Sequence, residues 1–184
     1  GMPRRDMAVR EEYDKETVKA LSSFGIDAAA YAGYMSRATE PLINAFLGVN
    51  VHPADLSIMI GDKRKYTGDH AVRDAILAGE KQIRSTTHII EKEVDYGKIL
   101  MISKPVDVIL PNDFDRDNKD QVKLVSDQHQ NRLKEIGDWN IFPKTLGYIA
   151  CGRYSRDEKG NLFFNTKGDL SVESDVAILF GVRL

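Results

Sequence analysis

The sequence predicts an α/β fold whose sheet is partly parallel and carries antiparallel strands at its edge. Helical and extended patterns alternate through the first half of the chain, and glycines separate them. Two β-rich segments then follow each other without a helix between them, which is typical of an antiparallel hairpin. Ligands of such sheets bind beyond the carboxyl ends of the strands, so residues that follow strands are candidates for a functional site.

The first three elements are predicted as a helix, a strand and a second helix. Residues 10–24 mix apolar and charged residues as an amphipathic helix does, and Gly25 would end it. The mostly apolar run 26–32, closed by Gly33, predicts a buried parallel strand. Pro41 favours the first turn of the next helix, where its missing N–H costs nothing. The apolar side chains expected to share one face of the first helix are Tyr13, Val18, Leu21 and Phe24.

The remaining elements follow from the spacing of apolar and turn-forming residues. We expect a strand at 48–53, a helix at 71–78 and a hairpin formed by 86–90 and 97–108. Two helices at 119–136 and 138–151 and two short strands at 162–165 and 177–182 should follow. The basic run 63–65 is expected to be a solvated loop rather than a phosphate site. All 184 residues are assigned to a single domain.

The composition indicates a globular protein and restricts its partners. With a net charge of −2, the chain gives no electrostatic reason to expect a nucleic acid or an anionic membrane as a partner. No apolar run approaches the ~20 residues that a membrane-spanning helix needs. Cys151 is the only cysteine, so an intrachain disulfide is impossible and a cytoplasmic location is favoured. We expect Cys151 to be a small core residue.

Asn50, His52 and Asp95 are the residues best suited to chemistry. Alternate side chains of an extended segment point the same way, so Asn50 and His52 are expected to face one pocket while Val51 faces the core. Asp95 is predicted in a tight turn, residues 93–97. A carboxylate beside an imidazole holds it in one tautomer and favours its charged form. An amide offers donors to an oxygen that becomes negative.

Taken alone, these residues also fit ordinary structural roles. The Asn-x-His pattern is weak, because His52 can cap a loop and Asp95 can be a simple turn residue. The same applies to the remaining histidines of the sequence, which are His70, His88 and His129.

Five blocks of sequence, in this order, resemble the folate-dependent formyltransferases, above all the phosphoribosylglycinamide type. The blocks are 32–35 (Ala-Gly-Tyr-Met), 50–53 (Asn-Val-His-Pro), 68–76, 86–88 (Thr-Thr-His) and 94–97 (Val-Asp-Tyr-Gly). The similarity runs from about residue 10 to residue 153, and C-terminal strands are expected over 154–184. The resemblance implies a truncated Rossmann-like formyltransferase fold, without the family's N-terminal strand and phosphate-binding loop.

The resemblance implies that Asn50, His52 and Asp95 form a catalytic trio, supported by His88 and Thr86. Formyl transfer to an amine requires that the amine loses a proton, that the oxyanion of the tetrahedral intermediate is stabilised and that the leaving nitrogen is protonated. Asn50 and His52 suit the oxyanion, and Asp95, directly or through a water, suits the proton movement. Neither a metal nor a covalent nucleophile is required.

The resemblance also implies ligand contacts. The formyl donor would be 10-formyltetrahydrofolate, and its pterin part would contact the residues Met35, Glu91, Lys92, Glu93 and Val94. Asp138 stands where the family has a Glu that helps to hold the acceptor. The acceptor is expected to be a small-molecule amine, either glycinamide ribonucleotide or a related nucleotide or sugar amine, because the phosphate-binding part of the family's site is missing or rebuilt.

The missing N-terminal strands are expected to uncover a sheet edge that association would cover, which predicts a homo-oligomer. Two alternatives to a transferase stay open at this point. One is a non-catalytic descendant that binds a folate or nucleotide or serves as a subunit. The other is a formyltetrahydrofolate hydrolase, in which water replaces the amine. Formylation of methionyl-tRNA is not expected, because it calls for a further RNA-binding domain and more positive charge.

Overall fold

The structure, a computed structural model, describes residues 6–166 in full and, beyond them, the backbone of two short strands at 175–177 and 182–183. The helices are α1 (Met7–Leu21), α2 (Glu40–Ala45), α3 (Ala71–Leu77), α4 (Lys119–Leu133) and α5 (Trp139–Ala150). The strands are β1 (Ala28–Ala30), β2 (Leu47–His52), β3 (Met59–Ile60), β4 (Lys63–Arg64), β5 (Gln82–Ile83), β6 (Thr86–Ile89), β7 (Ile99–Ile102), β8 (Val106–Asp107), β9 (Tyr154–Arg156), β10 (Leu162–Asn165), β11 (Asp175–Ala177) and β12 (Val182–Arg183).

The central sheet has the strand order β1-β2-β6-β7-β12. β1 pairs with β2 and β12 with β7 in parallel, whereas β2, β6 and β7 pair antiparallel. This mixed arrangement with helices confirms the predicted α/β class, and the predicted hairpin is confirmed as β6 and β7. The predicted parallel strand at 26–32 is confirmed as β1, but it lies at the edge of the sheet, and its three alanines are half-buried or exposed rather than buried.

The first helix begins at Met7 rather than at residue 10, and a 3-10 turn over Ser22–Phe24 continues it to Gly25. Its buried face also differs from the prediction. Asp6 caps its N-terminus, and Gly25 follows it in the left-handed region with φ 61°. The exposed fractions of Tyr13 (60%) and Phe24 (71%) show that the prediction of one apolar face was wrong for both. The buried residue of this helix is Asp14, because its carboxylate accepts hydrogen bonds from Thr39 at the start of α2.

The register of β2 against β6 gives the sheet two different faces. Asn50 lies opposite His88, and His52 lies opposite Thr86, so these four side chains share one face. On the other face Thr87 contacts Thr145 of α5 through their hydroxyl groups, 2.8 Å apart. Val49, Ile89 and Leu100 pack there against Phe142, Leu146 and Ile149 of α5. The sheet therefore presents Asn50, His52, Thr86 and His88 on the face that α5 does not cover.

The two predicted helices at 119–136 and 138–151 are confirmed, but no loop separates them. A π-helical turn, Lys134–Asp138, joins α4 to α5. Gly137 lies in this turn against β6, where a Cβ atom would come within 2.3 Å of Ser85 Oγ. The glycine therefore allows the helix to approach the strand closely.

The C-terminal region is partly as expected. β10 confirms the predicted strand at 162–165, and the preceding strand β9 was not predicted. Of the predicted strand at 177–182, residues 178–181 lie outside the described residues. The expectation for Cys151 was wrong: it follows the last turn of α5 and is exposed. Among the residues described, no helix has the length and the apolar character that crossing a membrane requires.

Candidate active site

Asp95 occupies the centre of a polar cluster formed by Asn50, His52, His88 and Asp95. Its Oδ2 lies 3.5 Å from Nδ1 of His52, and its Oδ1 lies 3.5 Å from Nε2 of His88. Oδ2 also accepts a hydrogen bond of 2.8 Å from the backbone N–H of Gly68. Asp95 is buried, with 7% of its surface exposed. The structure thus brings the three residues of the predicted trio onto one side of the sheet.

The backbone of Asp95 adopts a left-handed conformation with φ 60°, which no other non-glycine residue of the described chain shares. This conformation costs an L-residue roughly 1–2 kcal/mol. The neighbouring Gly97 is required for a different reason, since a Cβ atom there would lie 1.7 Å from the carbonyl oxygen of Ile89. The turn therefore approaches β6 closely, and this closeness aims the carboxylate of Asp95 at the imidazoles.

Backbone carbonyls fix the tautomers of both imidazoles. Nε2 of His52 donates to the carbonyl of Tyr66 at 3.0 Å, and Nδ1 of His88 donates to the carbonyl of Ile89 at 2.9 Å. In the neutral rings, the nitrogens that face Asp95 therefore carry lone pairs. A proton on Nδ1 of His52 would form a charge-assisted hydrogen bond to the carboxylate.

Burial and charge shift the pKa values of this cluster in identifiable directions. Burial lowers the pKa of His52, and the charge of Asp95 and the Tyr66 carbonyl act against this shift. For Asp95, burial acts to raise the pKa, but the hydrogen bond with His88, the charge of His52 and the Gly68 amide outweigh it and lower the pKa to about 2. At neutral pH the cluster therefore holds an ionised carboxylate beside a neutral His52.

Asn50 and Thr86 lie on the same face and differ in their contacts. Nδ2 of Asn50 is 3.5 Å from Nε2 of His88, and the half-buried amide keeps a second N–H for a ligand. The hydroxyl of Thr86 donates to the carbonyl of Ala54 at 2.6 Å and accepts from the N–H of Leu56 at 3.1 Å. Thr86 therefore holds the turn that follows His52, and His88 lies inside the cluster itself.

Arg64 is the residue of this site that sequence reasoning missed. Its guanidinium donates to the carbonyls of Asp95 at 2.5 Å and of Gly97 at 3.0 Å. The next residue, Lys65, pairs with Glu80 at 2.9 Å. The expectation that residues 63–65 form a solvated loop was therefore wrong for Arg64 and Lys65. The sequence carries no signal for these contacts, because the partners of Arg64 are backbone carbonyls distant in the chain.

The residues predicted to contact a pterin lie on two exposed loops, one of which leads into Asp95. Met35 is 84% exposed and Val94 is 44% exposed. Glu91, Lys92 and Glu93 are exposed as well. An ion pair of 2.7 Å between Lys92 and Glu40 joins the turn of Asp95 to the start of α2, which follows the loop of Met35. A contact of these residues with a pterin stays a prediction.

Asp138 does not join the polar cluster. It lies in the π-helical turn near Ser85, and Ser85 shares with Thr87 the face that α5 covers. Burial raises its pKa, while Ser85 and the charge of Lys134 act against this shift. One carboxylate oxygen of Asp138 is buried and makes no hydrogen bond within the described part of the chain. A contact of Asp138 with an acceptor stays a prediction.

Within the described ranges, no group of three or more His, Cys, Asp and Glu side chains is arranged to hold a metal ion. The polar cluster instead supplies an amide donor, two imidazoles with fixed tautomers and one ionised carboxylate. Such a set can stabilise a developing negative oxygen and can transfer protons.

Comparison with known proteins agrees with this geometry. Residues 2–130 match the family model described as formyl transferase. The phosphoribosylglycinamide formyltransferase of Escherichia coli (strain K12) is 25% identical over 154 residues, which are 81% of this chain and 61% of that protein. The trifunctional purine biosynthetic protein adenosine-3 of Drosophila melanogaster is 31% identical over 150 residues, which are 80% of this chain and 10% of that protein.

The fold is also similar to that of a solved structure. The solved structure of the phosphoribosylglycinamide formyltransferase of Coxiella burnetii in complex with CHES matches with a TM-score of 0.66 at 18% identity. The match covers 95% of this chain and 69% of that one. The chain thus spans about three fifths of the Escherichia coli relative and a tenth of the Drosophila relative. Since the family model matches most of the chain, the protein belongs to the formyl transferase family, as the resemblance of the five sequence blocks had indicated.

Proposed function

We propose that this protein transfers a formyl group from 10-formyltetrahydrofolate to a small-molecule amine. One observation carries the proposal: the ionised carboxylate of Asp95 lies 3.5 Å from one ring nitrogen of His52 and one of His88, with the amide of Asn50 beside them. Attack of an amine on a formyl group requires both a proton acceptor and a donor to the oxyanion, and this cluster supplies both.

The first step forms a bond between the amine nitrogen and the formyl carbon, and the carbonyl oxygen becomes an oxyanion. Asn50 is the suitable donor to this oxyanion, since its amide is half-buried and retains an N–H beyond the contact with His88. His52 was predicted for the same task. Its Nε2–H donates to the carbonyl of Tyr66, so His52 can serve the oxyanion only if substrate binding breaks that hydrogen bond.

The second step removes a proton from the attacking nitrogen, which becomes positively charged when the new bond forms. The proton passes to the carboxylate of Asp95 or to an imidazole nitrogen that faces it, directly or through a water. The bond between the formyl carbon and the donor nitrogen then breaks, and the leaving nitrogen receives the proton. The cluster ends each cycle in its starting state, so neither a metal nor a covalent intermediate on the protein is required.

The acceptor is proposed to be glycinamide ribonucleotide or a related nucleotide or sugar amine. This proposal is supported by the name of the Escherichia coli relative, phosphoribosylglycinamide formyltransferase.

The first test is a calorimetric titration of the protein with a stable analogue of 10-formyltetrahydrofolate. Saturable binding with weaker binding to an Asn50→Ala variant is expected. The absence of binding at about millimolar analogue by a folded sample would contradict the proposal, and a non-catalytic role would then be favoured. Formate released from 10-formyltetrahydrofolate without any amine would instead identify a hydrolase.

The second test removes the carboxylate at the centre of the cluster. Asp95→Asn is expected to lower the turnover number by about 10²–10⁴-fold, the usual contribution of general acid–base catalysis, without loss of folding. Asp127→Asn is the matched control, because Asp127 is an exposed carboxylate on α4 whose partner is Lys123. Turnover of Asp95→Asn within about threefold of the control would remove Asp95 from the mechanism.

A further inference from the structure

We propose that Arg64 is a positioning residue of this site, which holds the turn of Asp95 so that its carboxylate meets both imidazoles. The inference rests on the proposed function for its catalytic consequence, but its structural part can be tested without any activity. Arg64 belongs to the small hairpin of β3 and β4, which none of the five family-like sequence blocks includes.

The guanidinium of Arg64 joins two carbonyls on either side of Tyr96. It donates through Nη1 to the Asp95 carbonyl and through Nη2 to the Gly97 carbonyl. The backbone N–H of Arg64 donates to the Tyr96 hydroxyl at 3.2 Å, and the guanidinium lies 5.6 Å from the centre of the Tyr96 ring. Arg64 therefore contacts every residue from Asp95 to Gly97.

The turn needs such support because its conformation is unfavourable by itself. A non-glycine residue at φ 60° costs roughly 1–2 kcal/mol and persists only where surrounding contacts impose it. The contacts between the carboxylate of Asp95 and the imidazoles are long, at 3.5 Å each. A small rotation of the turn would thus shorten one of these contacts and lose the other.

The segment after Arg64 connects the same hairpin to the rest of the cluster. The carbonyl of Tyr66 accepts from His52, and the N–H of Gly68 donates to Asp95. Arg64 and these two backbone groups therefore hold both partners of the His52–Asp95 pair from one continuous stretch of chain. A shift of the hairpin would move the imidazole and the carboxylate relative to each other.

An arginine is specifically suited to this position. Its planar guanidinium reaches two acceptors at once in a fixed geometry, whereas the ammonium of a lysine is a point charge. Lys63 precedes Arg64 on the same strand and is exposed, which makes it a matched control for a change of charge in the hairpin.

The simpler role for Arg64 is to stabilise the hairpin of β3 and β4 without any effect on Asp95. The two roles differ in the coupling between Asp95 and the histidines. His52 faces the charged groups Asp95, His88 and Arg64 as well as the carbonyl of Tyr66, so the effect of Asp95 alone has to be isolated. A double-mutant cycle isolates it.

The experiment measures the pKa of His52 by NMR, from the ring Cε1–H signal, in the free full-length protein. Asp95→Asn is expected to lower this pKa by about 1 unit or more, the usual effect of an opposite charge within hydrogen-bonding range. The same replacement in an Arg64→Ala background is expected to have less than half that effect. In a Lys63→Ala background the effect should be unchanged.

An equal effect of Asp95→Asn in all three backgrounds would overturn the positioning role. If Arg64→Ala does not fold, Arg64→Lys decides, because it retains the charge and can bind only one of the carbonyls. In the Arg64→Lys background, the effect of Asp95→Asn on the His52 pKa should be smaller than in the wild type and larger than zero. An effect as large as in the wild type would overturn the proposal.

Turnover separates this inference from the proposed function. In an active enzyme, Arg64→Ala should lower the turnover number by about 10²-fold with the KM for the formyl donor changed less than about twofold, since misplacement of a reacting group has this size of effect. A protein that shows the NMR coupling but transfers no formyl group would contradict the proposed function and leave the positioning role intact.

Discussion

Nδ1 of His52 lies 3.5 Å from Oδ2 of Asp95, and both residues are buried. Burial lowers the pKa of His52 below its usual value of 6.5. The unfolded chain therefore binds a proton at His52 at a higher pH than the folded protein does. As the pH falls below about 6.5, we expect the free energy of unfolding to decrease because of His52.

Asp95 adds a second range of acid sensitivity. Its pKa is lowered from 3.8 to about 2, because its hydrogen bond with His88, the charge of His52 and the Gly68 amide together outweigh its burial. A carboxylate with a lowered folded-state pKa stabilises the fold above its unfolded pKa, and this stability is lost as the pH falls toward 2. The contribution is about 2 kcal/mol.

Urea unfolding from about pH 8 to about pH 2 measures both effects. The variant His52→Gln should flatten the dependence as the pH falls below about 6.5, and Asp95→Asn should flatten it between about pH 4 and pH 2. Parallel curves for the wild type and both variants would show that neither group couples protonation to folding.

Gly97 should tolerate no side chain. A Cβ atom there would lie 1.7 Å from the carbonyl oxygen of Ile89, a backbone atom that cannot move without opening the hairpin of β6 and β7. We expect Gly97→Ala to lower the free energy of unfolding by about 3 kcal/mol or more, beyond the usual cost of a point substitution. Urea unfolding at neutral pH measures this change.

Gly147→Ala is the control for this prediction. Gly147 lies within α5, where a Cβ atom would meet nothing within 4 Å. Replacing an unobstructed helical glycine by alanine should raise the stability by up to about 1 kcal/mol. Equal and small effects of the two substitutions would mean that the turn of Asp95 does not approach β6 as closely as the structure shows.

The sequence predicted the fold and the cluster through different kinds of information. Local patterns were sufficient for the helices and for the hairpin, because apolar periodicity and turn residues act over a few positions. The alternation of Asn50 and His52 on β2 also placed both on one face. The central position of His88 and the opposite-face position of Asp138 could not be predicted, because they depend on the register and pairing of strands.

Buried polar contacts between distant segments explain the remaining differences. Tyr13 was expected on the apolar face of the first helix, yet it is exposed and Asp14 is buried, because Thr39 at the start of α2 offers donors to a carboxylate. Likewise, Arg64 carries no sequence mark of its contacts with backbone carbonyls. Hydrophobic patterns indicate which residues prefer water, but they do not predict such contacts with specific partners.

Asp14 should be essential for the position of α2. Its carboxylate accepts from the N–H and the hydroxyl of Thr39, both at 2.8 Å, and pairs with Arg10 at 2.7 Å. Asp14→Asn removes the charge and replaces one acceptor by a donor, which leaves buried donors unsatisfied. We expect a loss of about 3 kcal/mol in the free energy of unfolding, measured with urea.

Glu12→Gln is the matched control on the same helix. Glu12 is exposed and pairs with Lys15 at the surface, so its replacement should leave the stability unchanged within the error of the measurement. An Asp14→Asn variant as stable as Glu12→Gln would show that the contacts with Thr39 do not hold α2.

The free edge of β1 should mediate self-association. The backbone N–H of Tyr31 donates to the carbonyl of Val49, and the N–H of Leu47 donates to the carbonyl of Asp27. The backbone groups of Asp27 and Tyr31 on the β1 side therefore point toward β2. The groups of Ala28 and Ala30 therefore point away from β2, and no other strand of the described sheet pairs with them. An unpaired strand edge is a template for a second chain, so we predict a homo-oligomer.

Ala30→Pro tests this association where it would occur. Proline removes the N–H of Ala30, which an additional strand would need, while the hydrogen bonds between β1 and β2 involve other residues. The variant should be monomeric by light scattering with an unchanged circular dichroism spectrum, whereas Ala30→Ser keeps the N–H and should remain associated. A monomeric wild type at about 100 µM would exclude the predicted oligomer, and an associated Ala30→Pro variant would place the interface elsewhere.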